Sequence, residues 1–175
     1  MSRYMEAKPK CGIAAPIQVG RSGAVTCGGC RDAFPYGMHV VLPLDHEIYK
    51  EPFESYWANG ACFLLRTSVI TECGLMDENM KFICSDSDYS FTVRARGWKI
   101  NMVPSAIVQH EPDGALNHKN AFIEETKDRD ALYFINKWLS GGLFQQLAAE
   151  GQTLKVEQIT NQLAILQYRL AEGYK

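Results

Sequence analysis

Two aspartates and a histidine are the residues of this sequence whose types and order best suit chemistry. Asp86 and Asp88 stand at the start of a predicted helix. Two short apolar strands are predicted after this helix, and His110 lies at the end of the second. A carboxylate can take up a proton as a general base, and an imidazole can bind a metal ion. If the fold turns these side chains toward one pocket, the segment 59–110 has the parts of a catalytic site.

The elements just before the aspartates are predicted from apolar runs and capping residues. The continuous run ACFLL at 61–65 predicts a strand that is covered on both faces. Thr67 or Ser68 caps a short helix that Gly74 ends. Ser85 is the predicted N-cap of the next helix, with Asp88 as the second member of a capping box.

The elements around them predict a layered α/β fold. The helix that begins at 85 runs to Arg96 and stops at Gly97, and a strand with one buried face follows at 98–102. Pro104 interrupts it, and 106–110 forms the next strand. Upstream, we expect a helix end at 2–7, a strand at 12–16, a weak glycine-rich hairpin within 18–36 and a strand at 38–44. Strands that alternate with helices predict an α/β layer architecture.

The C-terminal part is predicted to be helical. Residues 121–139 form a strong helical pattern, which Gly141 and Gly142 break. Five apolar residues then recur at spacings of three and four: Val156, Ile159, Leu163, Leu166 and Leu170. Two interpretations stay open, a helix packed on its own domain and the seam of a homodimer.

Composition indicates a water-soluble globular protein. The chain has 175 residues, 46% hydrophobic and 22% charged, which is enough for one domain with a sizeable core. A net charge of −2 gives no electrostatic reason to expect nucleic acid as a partner. No apolar run approaches the ~20 residues of a transmembrane segment, and MSRYMEAKPK has no apolar signal core. We expect a cytoplasmic location, with peripheral membrane association left open.

Six cysteines are too few to be a disulfide scaffold at this length, so reduced and buried thiols are expected. Cys27 and Cys30 form a CxxC sequence, with His39 and His46 downstream. These four residues are the type that binds zinc, but no second CxxC completes a familiar pattern. A redox CxxC and a glycine turn between two small apolar side chains are the alternatives.

Five ordered motifs resemble the C-terminal half of inverting family 2 glycosyltransferases, of the GT-A type and the rhamnosyltransferase-like branch. They are Gly60-Ala-Cys-Phe-Leu-Leu-Arg66, Gly74-Leu-Met-Asp-Glu78, Ser85-Asp-Ser-Asp88, Arg94-Ala-Arg-Gly-Trp98 and Val103-Pro-Ser-Ala-Ile-Val-Gln-His110. The resemblance covers residues 4–139. It implies a partial GT-A-like (Rossmann-related) mixed sheet with flanking helices over 1–118, followed by a helical extension over 119–175.

The departures from the family pattern concern both motifs and extent. Ser85 replaces a glutamate, Cys84 a glycine and Met76 a phenylalanine. The family's nucleotide-binding half has no counterpart before residue 56, so the sequence resembles a truncated or degenerate relative. Asp86-Ser-Asp88 lies at the position of the family's base and not at that of its nucleotide motif.

The resemblance implies a role for each candidate residue. Asp86 would be the general base, His110 would bind Mn²⁺ or Mg²⁺, and Asp88 would orient the acceptor. Trp57, Asn59 and Gly60 would line the acceptor pocket. Against these roles stand simpler ones: a capping carboxylate for either aspartate, a satisfied histidine at a strand end, and a packing role for Trp57.

Two functions from different classes follow. The first is a transferase that moves a hexose or deoxyhexose from a nucleotide sugar to a glycan or related acceptor, as in polysaccharide biosynthesis. The second is a non-catalytic binding or assembly module derived from a truncated glycosyltransferase. A partner chain that supplies the nucleotide-binding half is compatible with both.

Overall fold

The protein is built around one long buried strand. The computed structural model describes residues 1–31, 38–111, 120–140 and 156–173. Strand β1 (Cys11–Val19) is buried along its whole length. It pairs in parallel with β7 (Lys99–Gln109), and β5 (Phe53–Glu54) pairs antiparallel with β7 on the outer side. On its other edge β1 pairs antiparallel with β6 (Leu64–Leu65) and with β2 (Val25–Cys27).

A second, smaller ladder lies beside this sheet. Strand β3 (Cys30–Arg31) pairs antiparallel with β4 (Met38–His39), so that Cys30 lies opposite His39. The hairpin of β1 and β2 confirms the turn predicted in the described part of 18–36. The predicted strand at 38–44 is mostly wrong, because only its first two residues form a ladder.

Two prolines lie inside strands that they were predicted to end or interrupt. The register of β1 and β7 passes from Ala15 opposite Met102 directly to Ile17 opposite Ile107. Pro16 and Pro104 therefore fall within the irregular part of the ladder, where a missing N–H is tolerated. The predicted breaks at both prolines are wrong for this reason.

The helices agree more closely with the sequence. Helices α1 (Ser2–Ala7), α2 (Thr67–Cys73), α3 (Ser85–Ala95), α4 (Ala121–Ser140) and α5 (Val156–Glu172) fall near their predicted positions, and a 3₁₀ turn spans Glu47–Tyr49. The prediction of a strand covered on both faces at 61–65 is wrong, since only Leu64–Leu65 pair with a neighbouring strand and Leu64 is exposed. The chain turns at Asn59 instead, where the Cys62 N–H donates to the Asn59 carbonyl at 3.4 Å.

The core has one part on each side of α3. Toward the sheet, Tyr89 and Val93 pack among apolar residues of β1, β7 and α2. On its other side, Phe91 lies 5.7 Å from the Phe134 ring of α4 and 5.6 Å from the Trp138 ring. Leu166 of α5 is fully buried in this second cluster, with Leu163 packed against it. That contact favours the packed-helix interpretation of the C-terminal stripe over a dimer seam.

The observed architecture confirms the predicted fold class. It is a mixed α/β sheet with flanking helices, consistent with the partial GT-A-like fold that the motifs imply. The predicted boundary between residues 118 and 119 stays a prediction. Within the described ranges, none of the helices is both long and apolar enough to cross a membrane.

Candidate functional site

An open pocket of about 650 Å³ lies where α3 begins and β7 ends. Asp86 and His110 both line it, so the structure brings these two candidates to a common hollow. Trp57, Asn59 and Gly60 also line it. The remaining described lining residues are mostly apolar and come from 61–63, 76 and 82–87: Ala61, Phe63, Met76, Phe82, Ile83, Cys84, Ser85 and Ser87.

The carboxylate of Asp86 is held by backbone groups. Its Oδ2 accepts the Gly60 N–H at 2.8 Å, and its Oδ1 accepts the Ser87 N–H at 2.8 Å. The first bond depends on glycine, because a Cβ at Gly60 would lie 3.2 Å from the Asp86 Cβ and 3.3 Å from Oδ2. Asp86 is therefore oriented without using another charged side chain in this contact.

The chain that precedes Gly60 is fixed to the fold from two sides. The Ala58 N–H donates to Ser90 Oγ at 3.1 Å, one turn along α3 from Asp86. Asn59 Oδ1 accepts the Ala61 N–H at 3.0 Å and the side-chain amide of Gln18 at 3.2 Å. This side chain thus closes the turn that presents Gly60, as asparagine commonly does in turns.

His110 extends the central ladder by one residue. Its N–H donates to the Val19 carbonyl at 2.9 Å, directly beyond the last residue of β7. This bond holds His110 at the end of the sheet, where this residue lines the pocket.

Trp57 lies both at the pocket and in the core, so its packing role is confirmed and its acceptor role stays a prediction. It lines the pocket, yet it is only 4% exposed and belongs to the core cluster between α3 and α4. The His39 ring meets it edge-on, with 5.2 Å between centroids. Its indole N–H is buried and has no hydrogen-bond partner among the described residues.

The capping box predicted at the start of α3 is absent. The N-cap is Cys84 and not Ser85, and the Cys84 side chain makes no capping hydrogen bond, although Asp86 Oδ1 accepts the Ser87 N–H of the first turn. Cys84 has φ 67°, a left-handed conformation that glycine adopts most easily. The family's motif has a glycine at this position, and glycine adopts this left-handed conformation without strain. Burial raises the pKa of the Cys84 thiol to about 12, so this lining residue carries no thiolate at neutral pH.

Asp88 points away from the pocket and into the core. It is 1% exposed, and it is not among the described lining residues. Its Oδ1 accepts the Trp138 indole N–H at 2.9 Å, and Lys137 Nζ lies 2.8 Å from Oδ1 and 2.9 Å from Oδ2. The expected acceptor contact gains no support from this position, and the capping role is wrong.

Helix α4 supplies the charged residues that sequence reasoning missed. Asp130 is 2% exposed, and its Oδ2 accepts the N–H groups of Phe82 at 2.5 Å and Ile83 at 2.9 Å. Asp130, Phe134 and Trp138 follow one another at intervals of four on the buried face of the helix. A charged residue within such an apolar stripe needs a buried polar partner. This requirement is the sequence signal that could have predicted a buried contact for Asp130.

All six cysteines are free thiols without a disulfide bond, as expected, and four of the six are buried. The Cys30 thiol hydrogen-bonds to Cys27 and lowers the pKa of Cys27 to about 5, with a further contribution from His39. The same bond to Cys27 raises the pKa of Cys30, and the contact with Cys27 raises that of His39. His46 instead caps the 3₁₀ turn, where its Nδ1 accepts the Ile48 N–H at 3.2 Å.

The described residues do not by themselves complete a metal site. Over these ranges, no group of three or more His, Cys, Asp or Glu side chains is placed to hold a metal ion. His110 is the residue that would bind the Mn²⁺ or Mg²⁺ that the resemblance implies, and zinc at Cys27 and Cys30 gains no support from this finding.

Comparison with known families agrees with the motif order. Residues 47–130 match the sequence profile of the family described as "Glycosyltransferase like family 2". The matched segment includes Trp57, Asp86 and His110, and it ends inside α4 before Lys137. A search of curated proteins found no match. The profile match supports a family 2 glycosyltransferase-like domain and a glycosyl-transfer function for this part of the chain.

Proposed function

We propose that this chain transfers a hexosyl or deoxyhexosyl group from a nucleotide sugar to a glycan or related acceptor, in the manner of the rhamnosyltransferase-like branch. One observation carries the proposal. Asp86 and His110 line the same pocket, and both belong to the segment that matches the glycosyltransferase profile.

The step assigned to Asp86 is removal of the acceptor proton. The acceptor hydroxyl oxygen attacks the anomeric carbon, and the bond from that carbon to the diphosphate oxygen breaks. The nucleoside diphosphate leaves with the electron pair of that bond, and the hydroxyl proton passes to the Asp86 carboxylate. The Gly60 and Ser87 N–H groups hold the carboxylate in one orientation, which lowers the entropic cost of reaching this geometry.

The rest of the pocket suits the acceptor. Trp57, Phe63 and Phe82 give it aromatic and apolar walls, to which the C–H face of a sugar ring can pack. Asn59 and Gly60 form the rim beside Asp86. His110 is the proposed ligand for a cation that would neutralise charge on the diphosphate.

A sugar-transfer assay with Asp86→Asn tests the proposal. Wild type and variant are compared with a panel of nucleotide sugars, with and without Mn²⁺, and Glu125→Gln serves as the control. Glu125 forms an exposed pair with Arg129 on α4, so its loss removes one carboxylate without touching the pocket. We expect Asp86→Asn to lower turnover by about 100-fold or more, and Glu125→Gln to leave it unchanged.

The outcome separates the two functions considered from the sequence. Equal turnover in wild type and Asp86→Asn would remove Asp86 from catalysis. Calorimetry with nucleoside diphosphates addresses donor binding directly, and micromolar binding by this chain would count against a purely non-catalytic module. Absence of both turnover and binding would favour that module.

A further inference from the structure

Helix α4 contacts both walls of the pocket without lining it. None of the described lining residues belongs to α4. One wall is the segment 76–84, and the other is the first turn of α3, which carries Asp86. Helix α4 therefore holds segment 76–84 and the first turn of α3 from the side opposite the pocket.

A single ammonium group joins the two walls from behind. Lys137 Nζ lies 2.8 Å from Asp77 Oδ2 and 2.8 Å from Asp88 Oδ1. Asp77 directly follows Met76 of the first wall, and Asp88 lies on the same turn as Asp86. Tyr133 adds a second contact, because its hydroxyl donates to Asp77 Oδ2 at 3.0 Å.

The charges at this bridge depend on one another. Burial raises the pKa of Asp88, although the bonds from Lys137 and Trp138 oppose that effect. Hydrogen bonds from Lys137 and from the Asn79 N–H hold the pKa of Asp77 well below its usual range. Burial by itself lowers the pKa of Lys137, but the two carboxylates outweigh it and raise the value above its ordinary level. The ammonium thus compensates two carboxylates, of which Asp88 is almost fully buried.

We propose that Lys137 is a positioning residue of the transfer site, which sets Asp86 against Gly60 by tying Asp88 to Asp77. Its effect on turnover rests on the proposed function of Asp86, whereas its effect on geometry does not. Lys137 lies beyond the segment that matches the family profile. The bridge acts through α3, since Lys137 itself is not among the described pocket-lining residues.

The test measures geometry and turnover in the same variants. Lys137→Met removes the charge, Lys137→Arg keeps it, and Arg129→Met removes an exposed charge from the same helix. The geometric readout is the Gly60 amide, whose N–H donates to Asp86, followed by ¹H–¹⁵N chemical shift and hydrogen exchange. Amides of the β1–β7 ladder report any general loosening of the fold.

We expect a local effect in Lys137→Met. The Gly60 amide should shift and should lose more protection than the β1–β7 amides, which report only the lower global stability, and kcat should fall about tenfold with KM nearly unchanged. Lys137→Arg should restore most of both effects, and Arg129→Met should match wild type. If Lys137→Met does not fold, Asp77→Asn removes one side of the bridge and should give a smaller change of the same kind.

The two ways to fail are distinct. A folded Lys137→Met protein with wild-type Gly60 exchange and wild-type kcat would overturn the positioning role. So would a loss of protection at Gly60 no larger than that of the β1–β7 amides, with no change in the Gly60 chemical shift, or no recovery in Lys137→Arg. Loss of the proposed function would show instead as turnover that does not depend on Asp86, with the Gly60 amide still responding to Lys137.

Discussion

Asp86 and Asp88 lie two residues apart on one helix and have opposite surroundings. Asp86 lines an open pocket and is held by two backbone N–H groups. Asp88 is buried behind the helix, between the Lys137 ammonium and the Trp138 indole. Two positions along an α-helix differ by about 200° around its axis, so one side chain of such a pair faces away when the other faces the pocket.

The difference shows what each side of α3 contributes. The pocket side has an oriented carboxylate with apolar neighbours, an arrangement suited to proton transfer. The α4 side has a compensated charge cluster, an arrangement suited to fixing the helix. Because both begin in the same turn, the chemistry proposed for one carboxylate depends on the packing of the other.

The largest stability effect expected from this comparison is that of Lys137→Met at neutral pH. Among the described residues, the substitution leaves the Asp88 charge buried near Asp77 with only the Trp138 N–H to compensate it. We expect a loss of about 2 to 3 kcal/mol in the free energy of unfolding, below the usual range for buried pairs because Lys137 is partly exposed. Urea denaturation from pH 4 to pH 8 measures it.

The loss should depend on pH and on which aspartate is changed. Because burial raises the pKa of Asp88, the folded variant keeps a proton on this carboxyl at pH values where the unfolded chain has lost it. The unfolding free energy of the variant therefore falls as pH rises from about 4 through the pKa of Asp88 in the folded state. Asp88→Asn added to Lys137→Met should recover most of the loss, and Asp86→Asn should recover none. Equal recovery by both would contradict the assignment of two separate environments.

The sequence predicts the pocket side of α3 far better than its α4 side. The family resemblance implies that Asp86, His110, Trp57 and Asn59 belong to one site, and all of them line the pocket. Asp86 lies in the first turn of α3, His110 follows β7, and Trp57 and Asn59 lie in the loop before β6. The order of the motifs was therefore the signal that grouped them.

The α4 side could not be predicted because it forms between distant segments. A serine followed by aspartates reads locally as a capping box, and only the arrival of α4 turns Asp88 into a buried partner of Lys137. The strand breaks expected at Pro16 and Pro104 failed for a similar reason. Each proline is tolerated by an irregularity in the ladder that involves the other strand.

The next effect in size concerns the contact between Gly60 and Asp86. In Gly60→Ala the new methyl group would crowd the Asp86 carboxylate, so we expect turnover to fall about tenfold. The unfolding free energy should change little because Gly60 lies in an exposed turn with no positive φ. Initial transfer rates and thermal denaturation are the measurements.

Gly20→Ala is the matched control for this substitution. A Cβ at Gly20 meets its nearest described neighbours at 3.5 Å, an ordinary contact, and these neighbours (Glu111, Thr26 and Ala24) are not among the described lining residues. Transfer by this variant should equal that of wild type. Wild-type turnover in Gly60→Ala would show that the close approach to Asp86 does not matter for the reaction.

The smallest effect tests the backbone at the start of α3. Cys84 has φ 67°, a conformation that costs an L-residue about 1 to 2 kcal/mol relative to its usual regions. Both Cys84→Ala and Cys84→Gly lose the buried thiol, but only glycine relieves the backbone. We therefore expect Cys84→Gly to be more stable than Cys84→Ala by about 1 kcal/mol, measured by chemical denaturation.

The same pair of substitutions at Cys73 should give the opposite order. Cys73 is the last helical residue of α2, where glycine still costs a fraction of the about 1 kcal/mol that it costs relative to alanine in a helix interior. Replacing alanine by glycine would then raise the unfolding free energy at position 84 and lower it at position 73, because the backbone φ differs between the two positions. If alanine is the more stable residue at both positions, the left-handed N-cap at Cys84 does not store strain.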